Sequence, residues 1–142
     1  MFDLIKLQKV FIPVLFVVFF IWVQIWLHLW LFFSPYREIV CNYNGPFGIS
    51  IPSWLSLGSA VGIMIIIILF RNKLFSSFFG GWPFFLILSG GLGNILERFT
   101  FGCIMDYIAI FSLPVFNIAD IALTLGVIGV VWKWRREHAE NI

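Results

Sequence analysis

A run of 24 residues, 10–33, contains no aspartate, glutamate, lysine or arginine. A helix needs roughly 20 consecutive apolar residues to cross the hydrocarbon core of a bilayer. A secretory signal peptide has an apolar region of only about 7–15 residues that ends at a small-residue cleavage site, and this run lacks such a site. The run therefore predicts a transmembrane helix that stays in the protein.

Three further stretches are almost as apolar, at residues 53–70, 78–96 and 114–132. The chain is 61% hydrophobic and 11% charged, whereas a soluble domain carries about 25% charged residues. Lipid is therefore expected to be the solvent for most of this surface. The sequence predicts an all-α membrane protein in which four transmembrane helices form a single integral membrane domain over residues 1–142.

Two connecting segments separate these spans. Residues 34–52 contain three prolines and two glycines, which predicts a loop, and residues 37–43 within it are compatible with a short strand. Residues 97–113 form the second connector, in which residues 103–111 fit either a strand or a helix lying in the membrane interface. Residues 133–142 are predicted to be a polar tail.

Lysine and arginine are divided unequally between the two sides of this four-helix arrangement. Seven fall on the side of the termini and two on the other side: Lys6, Lys9, Arg71, Lys73, Lys133, Arg135 and Arg136 against Arg37 and Arg98. Cytoplasmic segments carry the excess of basic residues. Both termini are therefore expected in the cytoplasm and both connectors on the outer face.

The last third of the chain concentrates polar side chains in an otherwise apolar sequence: Asn94, Glu97, Arg98, Asp106, Asn117 and Asp120. Asp120 lies within a predicted membrane helix, where an ionisable residue costs roughly 2.5–3.5 kcal/mol on insertion scales and indicates a functional site. Two carboxyl groups held close together do not both ionise easily, so that one serves as an acid and the other as a base. The alternative of equal weight is structural, with Glu97 and Arg98 as an interfacial charge pair and Asp120 as a packing anchor.

Other chemistries fit this sequence less well. The two cysteines and two histidines have none of the paired spacings of a zinc site, so we expect no metal and no cofactor. The histidines, in the first span and in the tail, cannot complete a Ser-His-Asp triad on the outer side. A net charge of +2 gives no indication of a nucleic-acid partner.

Several residues outside this polar group are expected to serve structure. Gly58 and Gly62 in the second span predict close helix contact. Gln24 and His28 lie four residues apart and could share one helix face, and we favour an interhelical hydrogen bond or an interfacial position over a catalytic role. Cys41 and Cys103 fall on the same outer side, where a disulfide is chemically allowed, but we expect two free thiols.

Three ordered blocks resemble the lipoprotein signal peptidase (signal peptidase II) family, the membrane aspartic proteases of bacteria. The family patterns are G-N-x-x-D-R, V-D-[FY] and F-N-x-A-D, and this chain has GNILER at 93–98, MDY at 105–107 and FNIAD at 116–120. A weaker match, NYNGPFG at 42–48, is similar to the N-x-G-x-x-F-[GS] segment of the family. There Asn42 takes the asparagine position, or Asn44 takes it if the alignment is shifted, and we favour Asn42.

The resemblance implies an endopeptidase that cleaves the signal peptide of diacylglyceryl-modified prolipoproteins before the lipidated cysteine. Asp106 and Asp120 correspond to the catalytic pair, and the substrate-binding positions are Asn42, Asn94, Arg98 and Asn117. It further implies a protein of the bacterial inner membrane that contacts lipid and is inhibited by the cyclic peptide globomycin. We expect the protein to act as a monomer.

Two departures from the family pattern leave an alternative open. Glu97 stands where the family has aspartate, and the first span has Gln24 and His28 in the region of the family's Asp and Lys pair. A non-catalytic homologue that binds lipopeptides, or a small membrane transporter, is the alternative. An intramembrane protease of the presenilin or prepilin type requires a G-x-G-D motif, which the chain lacks.

Overall fold

The computed structural model describes residues 4–34, 40–44, 52–69 and 81–139. These residues form four helices and a small two-stranded sheet, in agreement with the predicted helical class. In chain order the elements are α1 (Leu4–Phe32), β1 (Val40–Asn42), α2 (Ser53–Leu69), α3 (Trp82–Phe101), β2 (Ile104–Asp106) and α4 (Ile118–Ala139).

Within the described ranges, one helix is both long enough and apolar enough to cross a bilayer, namely α1 over Phe11–Phe32. The apolar part of α2, Trp54–Leu69, is shorter. Helices α3 and α4 carry charged residues, which lower their mean hydropathy. The arrangement of four transmembrane spans therefore stays a prediction.

Helix α3 is longer at its C-terminus than the sequence predicted. The helix continues through Phe101 and ends at Gly102, which adopts a left-handed conformation with φ of 78° and donates its N–H to the carbonyl of Arg98 at 3.0 Å. This is the usual way in which glycine ends a helix. Glu97 and Arg98 consequently lie inside the helix, and the prediction that a connector begins at residue 97 was wrong.

Helix α4 is shifted toward the C-terminus relative to the predicted span 114–132. Before the helix, Phe116 forms an antiparallel bridge with Ile108, so the backbone is extended there and α4 begins only at Ile118. At its other end α4 runs to Ala139, because the lysine and arginine residues of the predicted polar tail are good helix formers. The predicted polar tail is therefore helical as far as Ala139.

The two short strands link the two connectors. β1 pairs antiparallel with β2, with Cys41 opposite Met105 and Val40 opposite Asp106. The pairing confirms a strand within 37–43, and it decides between the two alternatives for residues 103–111 in favour of the strand. Cys41 and Cys103 are joined by a disulfide with a Cα–Cα distance of 5.6 Å, so the expectation of free thiols was wrong.

Helix α3 is central, since it contacts α1, α2, α4 and β2. It approaches the backbone of α4 closely at Gly90, where an added Cβ would lie 2.5 Å from the carbonyl oxygen of Ala119. By contrast, no described atom lies within 4 Å of a Cβ added at Gly58 or Gly62. The close contact that was predicted at the glycines of α2 is thus found at a glycine of α3, against α4. It brings the polar residues of α3 and α4 together.

We predict that Gly90→Ala destabilises the protein by about 1–3 kcal/mol, because the added methyl group meets backbone that cannot rotate away. Gly58→Ala is the matched control and should be neutral or stabilising by roughly 0.5–1 kcal/mol, since alanine favours a helix over glycine. Thermal unfolding in detergent measures both variants. Equal stability of the two would contradict the close approach of α3 and α4 at Gly90.

Candidate active site

The first turn of α4 is held by a reciprocal pair of hydrogen bonds. The backbone N–H of Asp120 donates to Oδ1 of Asn117 at 3.0 Å, and the backbone N–H of Asn117 donates to Oδ2 of Asp120 at 3.1 Å. Asn117 is therefore the N-cap of α4, and Asp120 completes a capping box. This arrangement fixes the Asp120 carboxylate at the helix N-terminus, where the helix dipole stabilises negative charge.

Asp106 ends β2, and two asparagines hold its carboxyl group. Asn42 donates from Nδ2 to Oδ2 at 2.9 Å, and Asn117 donates from Nδ2 to Oδ1 at 3.1 Å. The first bond depends on the pairing of β1 with β2, which sets the strand carrying Asn42 beside the strand that ends at Asp106. Only 3% of the Asp106 surface is exposed.

Asn94 on α3 connects the two aspartates. Its Nδ2 donates to Oδ1 of Asp120 at 2.9 Å, and its Oδ1 accepts from Nδ2 of Asn117 at 3.1 Å. The same oxygen also accepts from Nε2 of Gln24 at 3.4 Å, so the predicted interhelical role of Gln24 is confirmed. A continuous chain of hydrogen bonds thus runs from Asp106 through Asn117 and Asn94 to Asp120.

The environment of the two carboxyl groups differs. Burial raises the pKa of Asp106 to about 6, and the charge of Asp120 adds to the rise, while the hydrogen bonds from Asn42 and Asn117 and the charge of Arg98 oppose it. Asp120 is only half-buried. One carboxyl group that retains a proton beside another that is open to water is an arrangement suited to general acid–base chemistry.

The hydrogen bonds of Arg98 go to Ser56 and to the backbone at the end of β1, and none of those found in the described residues goes to the carboxyl group of Asp106 or Asp120. Its Nη1 donates to Oγ of Ser56, and its Nη2 donates to the carbonyl oxygens of Asn44 at 2.6 Å and Asn42 at 3.4 Å. The buried guanidinium group thereby joins α2 and α3 to the end of β1. Through these contacts Arg98 fixes the strand that carries Asn42. Its role in substrate binding remains a prediction.

The structure also distinguishes the two asparagines left open by the alignment. Asn42 contacts Asp106 through its side chain, whereas Asn44 contributes its backbone, donating its N–H to Oδ1 of Asn42 at 2.9 Å. Asn42 is thus the one that reaches the candidate site. Side-chain hydrogen bonds join the other predicted site residues to the two aspartates, whereas Arg98 reaches this group only through the backbone carbonyl of Asn42.

Three features of the site were not predicted from the sequence. The hydroxyl oxygen of Ser56 accepts a hydrogen bond from the Arg98 guanidinium group. The one indication of this in the sequence was that Ser56 is a polar residue inside an apolar span. The hydroxyl oxygen of Tyr107 accepts the N–H of Ile118 at 3.3 Å, which supports the start of α4. Glu97 accepts the N–H of Met105 at 3.2 Å, a contact for which the sequence gives no signal.

Within the described ranges, no three His, Cys, Asp or Glu side chains are grouped as metal ligands.

Residues 38–135 match the family model described as signal peptidase (SPase) II. Proteins named lipoprotein signal peptidase from Brucella ovis and from Brucella melitensis are each 28% identical to this chain over 121 residues. Each alignment covers 75% of this chain and 75% of the relative.

Two solved structures described as bacterial membrane enzymes have the same fold. One superposes with a TM-score of 0.81 at 21% identity and covers 94% of this chain and 93% of the other. The second has a TM-score of 0.73 at 23% identity and covers 88% of this chain and 93% of the other. Because the family match spans well over half of the sequence and includes both aspartates with their three asparagines, the chain belongs to the signal peptidase II family.

Proposed function

We propose that this protein is an aspartic endopeptidase that removes the signal peptide of diacylglyceryl-modified prolipoproteins by cleaving before the lipidated cysteine. Family membership makes the chain a protease of lipoprotein processing. The observation that carries the aspartic mechanism is the Asn117 side chain, which caps the helix of Asp120 and donates to Asp106. Among the described residues, neither Asp106 nor Asp120 forms an ion pair with a cationic side chain. A structural ion pair therefore does not explain these two carboxyl groups.

The two aspartates take different roles in this proposal. Asp120, half-buried at a helix N-terminus, is the base that removes a proton from water as the water oxygen attacks the scissile carbonyl carbon. Asp106, whose pKa is raised by burial, is the acid that gives its proton to the substrate. The proton from Asp106 goes to the carbonyl oxygen, so that attack by water gives a gem-diol. As the C–N bond breaks, Asp120 passes the proton it took from water to the amide nitrogen, which leaves as an amine. Asp106 takes a proton back from a hydroxyl group of the diol, which leaves a carboxylic acid and restores the starting state.

The membrane setting fits this reaction. The acyl chains of a lipidated substrate hold it in the bilayer, and α1 is long and apolar enough to place the enzyme there. We propose a multi-pass monomer of the bacterial inner membrane, built as one domain, with both termini in the cytoplasm and the aspartates near the outer face. The peptide bond just before the lipidated cysteine would meet the aspartates at that depth.

The runner-up proposal is a non-catalytic homologue that binds lipopeptides or a small membrane transporter. The observation in its favour is the departure from the family pattern at Glu97 and in the first span. Among the described residues, Glu97 and His28 form no hydrogen bond with the carboxyl group of Asp106 or Asp120. Because these two departures leave the aspartates untouched, the protease is favoured.

We expect Asp106→Asn and Asp120→Asn each to lower cleavage of a diacylated precursor by about 10²–10⁴-fold, the usual contribution of a general acid or base. Asparagine keeps the size of the side chain but neither donates nor accepts the catalytic proton. A gel-shift assay of the purified variants in detergent or lipid measures the product.

Thr124→Ala is the matched control for these variants. Its hydroxyl group donates to the backbone carbonyl of Asp120 at 2.7 Å, one turn along the same helix, and touches neither carboxyl group. This variant should retain activity within about threefold, since a neutral hydrogen bond contributes only about 0.5–1.5 kcal/mol. Full activity of Asp106→Asn or Asp120→Asn would refute the aspartic mechanism, and a wild-type protein that binds the precursor without product would support the runner-up.

The pH dependence of kcat/KM provides a second prediction. Since the pKa of Asp106 is raised to about 6, its acidic proton is present below that pH and lost above it. The value of kcat/KM, which reports the free enzyme, should therefore fall as the pH rises through the apparent pKa of the aspartate pair.

Asn42→Ala should move this falling limb to higher pH, because the hydrogen bond from Asn42 lowers the pKa of Asp106. Asn44→Ala is the control, since Asn44 contributes its backbone and should leave the limb in place. A limb that does not move in Asn42→Ala, or that moves equally in Asn44→Ala, would contradict the role of Asp106 as the acid.

A further inference from the structure

A second buried pair of polar side chains lies apart from the two aspartates. His28 on α1 and Glu97 on α3 are 3% and 1% exposed, and Nδ1 of His28 lies 3.2 Å from Oε1 of Glu97. The geometry is that of a close contact at ion-pair distance rather than of an aligned hydrogen bond. Burying an ionisable pair costs free energy unless its remaining polar atoms are satisfied, so the other contacts of the pair indicate its purpose.

The second carboxyl oxygen of Glu97 reaches the sheet. Its Oε2 accepts the backbone N–H of Met105 at 3.2 Å, and this contact is buried. Met105 is paired with Cys41 in the two-stranded sheet and directly precedes Asp106. Glu97 therefore holds the backbone of β2 at Met105, one residue before the proposed catalytic carboxyl group of Asp106.

His28 is itself held in place. Its ring stacks on Phe101 at the end of α3, with ring centroids 3.9 Å apart and the planes 17° from parallel. The imidazole thus has little freedom to turn away from Glu97. One oxygen of Glu97 lies at ion-pair distance from His28, and the other accepts the N–H of Met105. The side chain of Gln24 is a further polar neighbour of Glu97.

We propose that His28 and Glu97 are positioning residues, which fix the backbone at Met105 and thereby set the Asp106 carboxyl group against Asn117 and the substrate. The inference rests on the proposed aspartic mechanism. The competing interpretation is that the pair only fastens α1 to α3. The two differ in one respect, because a fastening pair affects the amount of folded protein whereas a positioning pair affects the turnover of the folded enzyme.

Two substitutions at Glu97 separate these interpretations. Glu97→Leu removes the acceptor for the Met105 N–H, and we expect kcat per folded enzyme to fall about 10- to 100-fold with KM within about twofold of wild type, since small misplacements of a catalytic group have effects of this size. Glu97→Gln keeps an oxygen that can accept from Met105 and should retain kcat within about threefold. Folded enzyme is quantified by size-exclusion chromatography and thermal unfolding.

The dependence of His28 on Glu97 is tested by combining substitutions. If His28 acts through Glu97, the double variant His28→Leu/Glu97→Leu should have the same kcat as Glu97→Leu alone, because coupled residues are not additive. Multiplication of the two separate losses would overturn the coupling. An unchanged kcat in folded Glu97→Leu, or a loss in Glu97→Gln as large as that in Glu97→Leu, would overturn the positioning role.

Asp106→Asn measured in parallel keeps the two proposals distinct. If Asp106→Asn is inactive and Glu97→Leu retains the wild-type kcat, only the positioning inference fails. If Asp106→Asn is fully active, the aspartic mechanism fails first, whatever the Glu97 variants do.

Discussion

The candidate active site depends on the hydrogen bonds of one buried amide, the side chain of Asn117. Its oxygen accepts the N–H of Asp120, and its two N–H groups donate to Asn94 and Asp106. The residue is fully buried, and an unsatisfied amide at that position would cost about 1–3 kcal/mol. The same three bonds that satisfy it also set the distance between the strand that ends in Asp106 and the helix that begins before Asp120.

Helix packing brings these groups within reach of each other. Asn94 bonds to Asp120 because α3 approaches α4 closely at Gly90, where a side chain would meet the carbonyl oxygen of Ala119. The sheet supplies the opposite side, since β1 carries Asn42 to Asp106 and is itself held by the Arg98 guanidinium. The cysteines at the two strands are bonded to each other. The site is therefore built from contacts made by the four described helices and both strands.

The sequence predicted the helical class, the first short strand and the residues that gather around the aspartates, because apolar length and ordered blocks are visible in the chain. It left the second strand open between a strand and an interfacial helix. It misplaced the end of α3, since burying Glu97 is favourable only with polar partners, which His28 and the N–H of Met105 provide. It also predicted free cysteines, because strand register decides whether Cys41 meets Cys103. These features depend on contacts between residues that are distant in sequence, and no local pattern encodes them.

The central claim is that this chain hydrolyses a lipidated precursor. The most direct measurement is mass spectrometry of the products formed when the purified wild-type protein is incubated with a diacylated prolipoprotein and, separately, with the same precursor lacking the lipid. We expect a product that begins at the lipidated cysteine, formed from the diacylated precursor alone and suppressed by globomycin. The absence of that product, or equal cleavage of the unlipidated precursor, would contradict this account.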